Sequence, residues 1–239
     1  MAGGAAAAAG VRARRVVAAP GPVRVLCWSE RTEPQDVYPE GISGAIARHL
    51  QTLPDVRVRT ASIQDPDQGL ASPDLDGTDV LIWWGHKKHK EVLFDRVADV
   101  VARVRAGRLG FIGLHSAHWS KMFKSILECT GNLGGWRHDA GPERLKVVAP
   151  SHPVARGISD FTIPETEMYD EPFDVPPPEK TVFFSYWKTG EQFRSGCVWT
   201  VGKGRVFYFR PGHETDPVYF HKEPLQVVSN AVGWCARRT

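Results

Sequence analysis

The sequence lacks the features that mark several large protein classes. None of its apolar runs approaches the ~20 residues that a membrane-spanning helix needs. No GxGxxG or GxxxxGK[ST] motif follows a predicted strand, which argues against a nucleotide cofactor. Helix-turn-helix and zinc-finger spacings are missing too, and a net charge of +3 is too small to indicate nucleic-acid binding. We therefore expect no nucleotide, no nucleic acid and no membrane among its partners.

Cysteine is also scarce. The four cysteines lie far apart and form no CxxC pair, which is typical of a reduced, cytoplasmic protein. Residues 1–22 are rich in alanine and glycine, and their basic residues follow the alanines, the reverse of a secretory signal. We interpret them as a disordered tail. Residues 23–239 are long enough for one α/β domain with a substantial core.

Short apolar runs alternate with helical patterns along the first half of the chain. The runs at 23–28, 79–84 and 110–114 are too short for helices and predict buried strands, and a more polar run at 56–61 predicts a strand nearer the sheet edge. Amphipathic helical patterns lie between these runs. This order indicates a mainly parallel sheet covered on both faces.

The pattern changes after residue 129. A glycine-rich stretch at 131–142 and an acidic run at 165–171 interrupt a β-rich C-terminal part. The predicted strands, of which glycines 202 and 204 close the last two into a hairpin, are 144–149, 161–163, 181–186, 197–201 and 205–209. A final helix is predicted over 224–236.

The most informative stretch is 110–121, where a buried strand ends at His115-Ser116-Ala117-His118 and a helical pattern follows. Such an elbow lifts its turn residues above the carboxyl edge of a parallel sheet, where ligands of open α/β sheets bind. Taken alone, the elbow is equally consistent with two histidines that merely begin a helix.

Two further predicted strands also end in histidine. The set is His86 and His89 after the third strand, His115 and His118 at the elbow, and His213 with Glu214 after the last. The carboxyl ends of parallel strands converge, so these imidazoles are expected to face one another. Imidazole is the commonest side-chain metal ligand, and two or three histidines with a carboxylate form a typical open zinc site. Without a metal, the same cluster would serve as general acid and base.

Each histidine by itself is more often structural than functional, but a set at strand ends favours function. His49, His152 and His221 are expected to be structural. Tryptophan and tyrosine residues lie beside the histidine segments and would suit a sugar, although most tryptophans pack in protein cores.

Seven long and unusual segments resemble one known family. They are VYPEGI (37–42), DVLIWWGHKKHKEV (79–92), GLHSAHWSKMFK (113–124), VVAPSHPVARGI (147–158), ETEMYDEPFDVP (165–176), FRSGCVWTVGKG (193–204) and FYFRPGHETDPVY (207–219). On these segments, the chain from about residue 23 to 234 is similar to the trehalose-utilisation (ThuA-like) family.

The resemblance implies a three-layer α/β sandwich with a mainly parallel sheet, of the flavodoxin-like kind found in class I glutamine amidotransferases. Those enzymes carry a nucleophilic cysteine where this chain has His115, so a cysteine-dependent glutaminase is excluded on chemical grounds. Ser116 is a poor substitute, because no histidine backed by an aspartate is predicted to deprotonate it.

The family is linked to sugar catabolism in which a dehydrogenase makes a 3-keto-disaccharide or 3-keto-glycoside. A 3-keto group acidifies the C–H at C2, and loss of the glycosidic oxygen from C1 needs a base at C2 and a metal or donor on the carbonyl. We therefore expect a metal-assisted lyase, hydrolase or isomerase that uses Zn²⁺ or Mn²⁺ and a small sugar substrate. The alternative is a non-catalytic sugar-binding or regulatory module, and either is compatible with a homo-oligomer.

The expected site residues fall into three groups. The metal ligands are His86, His115, His213 and Glu171. The acid and base groups are His115, His118, Glu167 and Glu214. The sugar contacts are Trp84, His89, Trp119, Lys121, Tyr169 and Arg210, of which Arg210 is alternatively the partner of a carboxylate.

Overall fold

The computed structural model describes residues 21–138 and 140–238. The predicted tail therefore lies, up to residue 20, outside the described residues. The strands are β1 (Val23–Ser29), β2 (Val56–Ser62), β3 (Val80–Trp84), β4 (Gly110–Leu114), β5 (Gly135–Arg137), β6 (Glu143–Val147), β7 (Phe161–Ile163), β8 (Met168–Asp170), β9 (Lys180–Tyr186), β10 (Gln192–Val201) and β11 (Gly204–Phe209). The helices are α1 (Gly41–Leu50), α2 (Ser72–Asp76), α3 (Phe94–Arg105), α4 (Lys121–Leu127) and α5 (Lys222–Cys235).

Nine of these strands form one sheet in the order β2-β1-β3-β4-β11-β10-β9-β6-β7. The first five strands of that order are parallel to their neighbours, whereas β10, β9, β6 and β7 pair antiparallel. The remaining two, β5 and β8, pair with each other in a small antiparallel sheet. The predicted mainly parallel sheet with a β-rich C-terminal part is confirmed.

Helices cover both faces of the sheet and give it three layers. Successive side chains of a strand point to opposite faces, so Trp83 and Trp84 enter different cores. Trp84 packs with residues of α1 and α5, whereas Trp83 packs with residues of α3 and α4 and stacks on Trp28 at 3.7 Å between ring centroids. Burial on both faces explains why the central strands are continuous apolar runs.

Two short strands were not predicted. β5 lies in the glycine-rich stretch and β8 in the acidic run, for neither of which the sequence predicted a strand. Each has only three residues, so neither shows a strand period, and their pairing with each other holds them in place. This small sheet fixes the position of two residues of the candidate site: His138, which follows β5, and Glu167, which precedes β8.

Among the described residues, no helix has the length and the apolar character to cross a membrane.

Candidate active site

Three neighbouring strands bring histidines to one edge of the sheet. His86 follows β3, His115 follows β4 and His213 follows β11, and these three strands are adjacent and parallel. The ring centroids lie 4.9 Å apart for His86 and His213, 5.3 Å for His115 and His213, and 5.5 Å for His86 and His115. One ring nitrogen of each lies within 4.8 Å of the other two, close enough for one metal ion. The structure thus brings together the three imidazoles expected from the sequence.

His115 occupies the elbow in a strained backbone conformation. Its φ of 51° lies in the left-handed region, which costs a residue with a side chain roughly 1–2 kcal/mol. The imidazole Nδ1 donates to the carbonyl of Arg210 at 3.1 Å, and the hydroxyl of Tyr208 donates to the carbonyl of His115 at 2.8 Å. These bonds hold the ring so that its Nε2 faces the cluster.

Ser116 fixes the ring of His86. Its Oγ shares hydrogen bonds with His86 Nδ1 at 2.5 Å and with the hydroxyl of Tyr169 at 3.0 Å. The histidine beside Ser116 is His86, and a glutamate, Glu214, lies 3.6 Å from its other ring nitrogen. Ser116 is nevertheless fully buried, so the contact serves to orient His86 rather than to expose a nucleophile.

Glu214 is a carboxylate that lies beside two of the three imidazoles. Its Oε2 lies 3.6 Å from His86 Nε2 and 3.5 Å from His213 Nε2, and its Oε1 lies 2.7 Å from Lys87 Nζ. Among the described residues, the buried Oε2 finds no hydrogen-bond partner. Tetrahedral Zn²⁺ with bonds of about 2.0–2.1 Å holds its donor atoms about 3.3 Å apart, so the spacing fits a shared ion.

A second carboxylate, Glu167, faces the same cluster from the small sheet. Its Oε2 lies 3.1 Å from His115 Nε2, and its Oε1 lies 3.5 Å from His138 Nε2. His138 extends from the glycine-rich stretch, and its ring lies 4.5 Å from that of His213. His138, Glu167 and His213 offer a further set of donors within 4.8 Å of one another.

The site opens into a polar cavity. The cavity has a volume of about 370 Å³, and His138, Glu165, Glu167, Thr215 and Asp216 are among its lining residues. Two exposed indoles lie next to histidines of this region. Trp136 stands edge-on to His138 with 5.8 Å between ring centroids, and the ring centroids of Trp119 and His118 lie 4.9 Å apart.

Burial and neighbouring charge set the protonation of the cluster. Burial, reinforced by the charge of His115, lowers the pKa of His86 to about 4 and that of His213 to about 3. Both imidazoles are therefore neutral at pH 7, the form that binds metal. Burial opposes the ionisation of Glu167, but the hydrogen bond and charge of His115 lower its pKa to about 2. Lys87 and the neighbouring imidazoles likewise lower the pKa of Glu214 despite its burial.

The expectation that Glu171 is a metal ligand is wrong. Its carboxylate binds the guanidinium of Arg194 at 2.8 and 2.9 Å and accepts backbone N–H bonds from Phe173 and Arg194. These bonds occupy both oxygens and direct the carboxylate away from the imidazoles. Glu214, predicted as an acid or base, stands in the place expected for Glu171.

Two of the expected sugar contacts have other roles. Trp84 is 1% exposed, and its indole N–H donates to the carbonyl of Gly212 at 2.9 Å, so it cannot stack on a ligand. The ammonium of Lys121 donates to the carbonyls of Lys90 and Val92 at 2.8 and 2.7 Å. Lys121 therefore secures the loop that carries His86.

Arg210 is the partner of a carboxylate, the alternative to a sugar contact that the sequence left open. The side chains of Arg210 and Glu143 are completely buried and form an ion pair, and Arg210 also donates to the carbonyl of Glu167. The rings of Tyr169 and Trp187 flank its guanidinium at 5.6 and 5.2 Å. A sugar cannot reach this side chain.

Three other expected residues lie behind the cluster or beside it. His118 is fully buried and its Nδ1 donates to the carbonyl of Gly131 at 2.6 Å, so it cannot act on a substrate directly. Tyr169, 2% exposed, reaches His115 Nε2 with its hydroxyl at 3.4 Å. His89 lies 3.6 Å from the buried carboxylate of Glu30. Of the expected aromatic sugar contacts Trp84, Trp119 and Tyr169, Trp119 is the one with an exposed ring.

The three histidines expected to be structural lie at helices or turns. His49 bonds Ser229 at 2.8 Å, His152 accepts the N–H of Val154 at 3.2 Å, and His221 precedes α5. Two residues of the site, His138 and Glu30, were not predicted from the sequence. His138 follows Trp136 in a loop-like stretch, and only its closeness to an aromatic residue could have drawn attention to it.

Comparison with known proteins agrees with these observations. The sequence model of the family described as trehalose utilisation (ThuA) matches residues 24–235. This chain belongs to the ThuA family. Membership supports a function in carbohydrate utilisation, whereas the individual site residues stay predictions. No curated protein matches the sequence.

Solved structures share the fold of this ThuA chain at low sequence identity. A ThuA-like protein from Parabacteroides merdae is 14% identical with a TM-score of 0.69, covering 91% of each chain. A cytoplasmic protein from Salmonella typhimurium is 13% identical with a TM-score of 0.59, covering 89% of this chain and 99% of that one. A glutamine amidotransferase from Thermotoga maritima is 13% identical with a TM-score of 0.52, covering 90% and 98%. The expected amidotransferase-like fold is thereby confirmed.

Proposed function

We propose that this ThuA-family chain is a carbohydrate-active enzyme that acts on a 3-keto-glycoside or 3-keto-disaccharide with the help of a divalent ion. The observation that carries the proposal is the donor spacing around Glu214 Oε2, 3.5 and 3.6 Å from two imidazole nitrogens. A carboxylate oxygen at this distance from two imidazole nitrogens has the spacing of ligands that share one cation. His86, His115, His213 and Glu214 would hold the ion, Zn²⁺ or Mn²⁺.

The bound ion would act as a Lewis acid towards the keto oxygen of the sugar. The residues of the chain would supply the proton transfer. In the proposed elimination, the C2–H bond breaks and its electron pair forms the C1=C2 bond. The C1–O bond breaks with its electron pair on oxygen, and the second sugar or aglycone leaves as an alcohol after taking a proton from water. Glu167 is the proposed proton acceptor, because its ionised carboxylate borders the cavity.

The positions of the surrounding groups support these roles. Tyr169 and Ser116 orient the imidazoles from the buried side. Trp136 and Trp119 offer exposed aromatic faces at the elements that carry His138 and His118, which suits the C–H face of a sugar ring. Burial of Glu214 and His115 keeps water away from the ligand side of the cluster.

The test is incubation of the protein, purified without a histidine tag, with 3-keto-trehalose and other 3-keto-glycosides, with and without chelator. We expect turnover that chelator removes, and loss of turnover in His115→Ala but not in His49→Ala, a matched change at a histidine on α1. Activity that persists with less than ~0.2 metal ions per chain would remove the metal from the proposal, because a real site should be tight. Sugar binding without turnover would instead support the non-catalytic module.

A further inference from the structure

A buried carboxylate outside the imidazole cluster binds the loop that carries His86. Glu30, which directly follows β1, is 0% exposed, and its Oε2 accepts three successive backbone N–H bonds. The donors are His86, Lys87 and Lys88, at 2.8, 2.7 and 2.8 Å. Three consecutive amides aimed at one oxygen form an anion-binding nest, which the chain fills with its own side chain.

The surroundings of Glu30 fit this role. A side chain on Gly85 would place its Cβ 2.8 Å from Glu30 Oε1, so the glycine leaves room for the carboxylate beside the loop. The remaining oxygen lies 3.6 Å from His89 Nδ1. Burial raises the pKa of Glu30, and the three amides act in the opposite direction. The three hydrogen bonds to the loop thus offset part of the desolvation cost of burying this carboxyl group.

We infer that Glu30 is a positioning residue that sets the place of the His86 imidazole through the backbone of residues 86–88. The inference rests on the proposed function, because it assigns Glu30 to the support of a metal ligand. His86 is held at its ring by Ser116 and at its backbone by Glu30. With both contacts, the ring has one position relative to Glu214. Residues that support metal ligands in this way commonly change metal affinity about 10–100-fold when they are replaced.

The chain offers a matched control in Glu33. Glu33 lies in the loop that follows the same strand, is 8% exposed, and accepts a backbone N–H from Ile42 at 2.6 Å at the start of α1. It therefore shares the burial and the kind of bond of Glu30 but binds a different segment. Glutamine keeps the size of either side chain and removes the charge that strengthens its hydrogen bonds.

The experiment compares Glu30→Gln with Glu33→Gln in the full chain by two measurements. Competition with a chromophoric chelator gives the affinity for Zn²⁺, and hydrogen exchange gives the protection of the amides of residues 86–88. We expect Glu30→Gln to weaken Zn²⁺ binding about 10-fold or more and to speed exchange of these amides. Glu33→Gln should leave both within about two-fold of the wild type.

The outcomes separate the inference from the proposed function. Wild-type protein that binds no Zn²⁺ would overturn the zinc site of the proposed function, while the exchange measurement would still test the binding of the loop. Equal Zn²⁺ affinities of Glu30→Gln and Glu33→Gln would overturn the inference. If Glu30→Gln does not fold, Gly85→Ala, which keeps Glu30 but crowds its carboxylate, takes its place with the same expected results.

Discussion

Replacing Glu143 with glutamine is expected to lower the free energy of unfolding by about 3–5 kcal/mol, the cost of breaking a buried ion pair. Glu143 and Arg210 are both 0% exposed, so the variant leaves a guanidinium buried without its counter-charge. The remaining partners of Arg210 are the carbonyl of Glu167 and two aromatic faces, none of which carries a full negative charge.

The magnitude follows from comparison with a second arginine–glutamate pair. Glu171 and Arg194 have side chains that are 26% and 23% exposed, so water still screens their charges. Glu171→Gln is expected to cost about 1 kcal/mol, because exposed pairs contribute little and two backbone bonds survive in part. The two glutamine variants remove the same atoms and differ in the depth of the arginine that each leaves behind.

Urea unfolding followed by tryptophan fluorescence measures both variants and the double variant Glu143→Gln/Arg210→Met. Removing both charges should restore part of the loss, with a coupling energy of about 2–3 kcal/mol between the two positions. A cost below about 1 kcal/mol for Glu143→Gln, or additive effects in the double variant, would show that Arg210 does not depend on Glu143.

Two further predictions concern residues whose expected roles the structure changed. Burial lowers the pKa of His118 to about 3. As the pH falls below about 6.5, this histidine is protonated in the unfolded chain but not in the folded one, so the free energy of unfolding decreases. The free energy of unfolding of His118→Gln should therefore fall less steeply than that of the wild type between pH 6.5 and 5, by up to about 1.4 kcal/mol per pH unit, and parallel curves in urea titrations would contradict this. Lys121→Met should lower the free energy of unfolding by about 1–2 kcal/mol, because the loop loses two charge-assisted bonds. Its KM for a keto-sugar should stay unchanged, whereas a raised KM with normal stability would return Lys121 to the sugar contacts.

The sequence predicted the parallel half of the fold for a simple physical reason. Strands buried on both faces must be apolar throughout, so β1, β3 and β4 are visible as short continuous runs. The convergence of His86, His115 and His213 follows from the same rule, since parallel strands end at one edge. The boundaries were less exact: β10 begins at Gln192, five residues before the predicted start at 197.

The choice of carboxylate could not be made from the sequence. Glu167 and Glu171 lie four residues apart on either side of β8, yet one faces His115 and the other binds Arg194. Their separation depends on how β8 pairs with β5 and packs against β10, contacts between residues that are distant along the chain.

The sequence alone predicted an α/β sheet of parallel strands with histidines at three of their ends, because strands buried on both faces are visible as short apolar runs. The partners of those histidines were set by folding. Glu214 reaches His86 and His213 across two strand ends, Glu30 reaches the His86 loop from β1, and His138 directly follows a three-residue strand. None of these approaches leaves a periodic signal, since each is a meeting of side chains whose distance is fixed by the packing of separate elements.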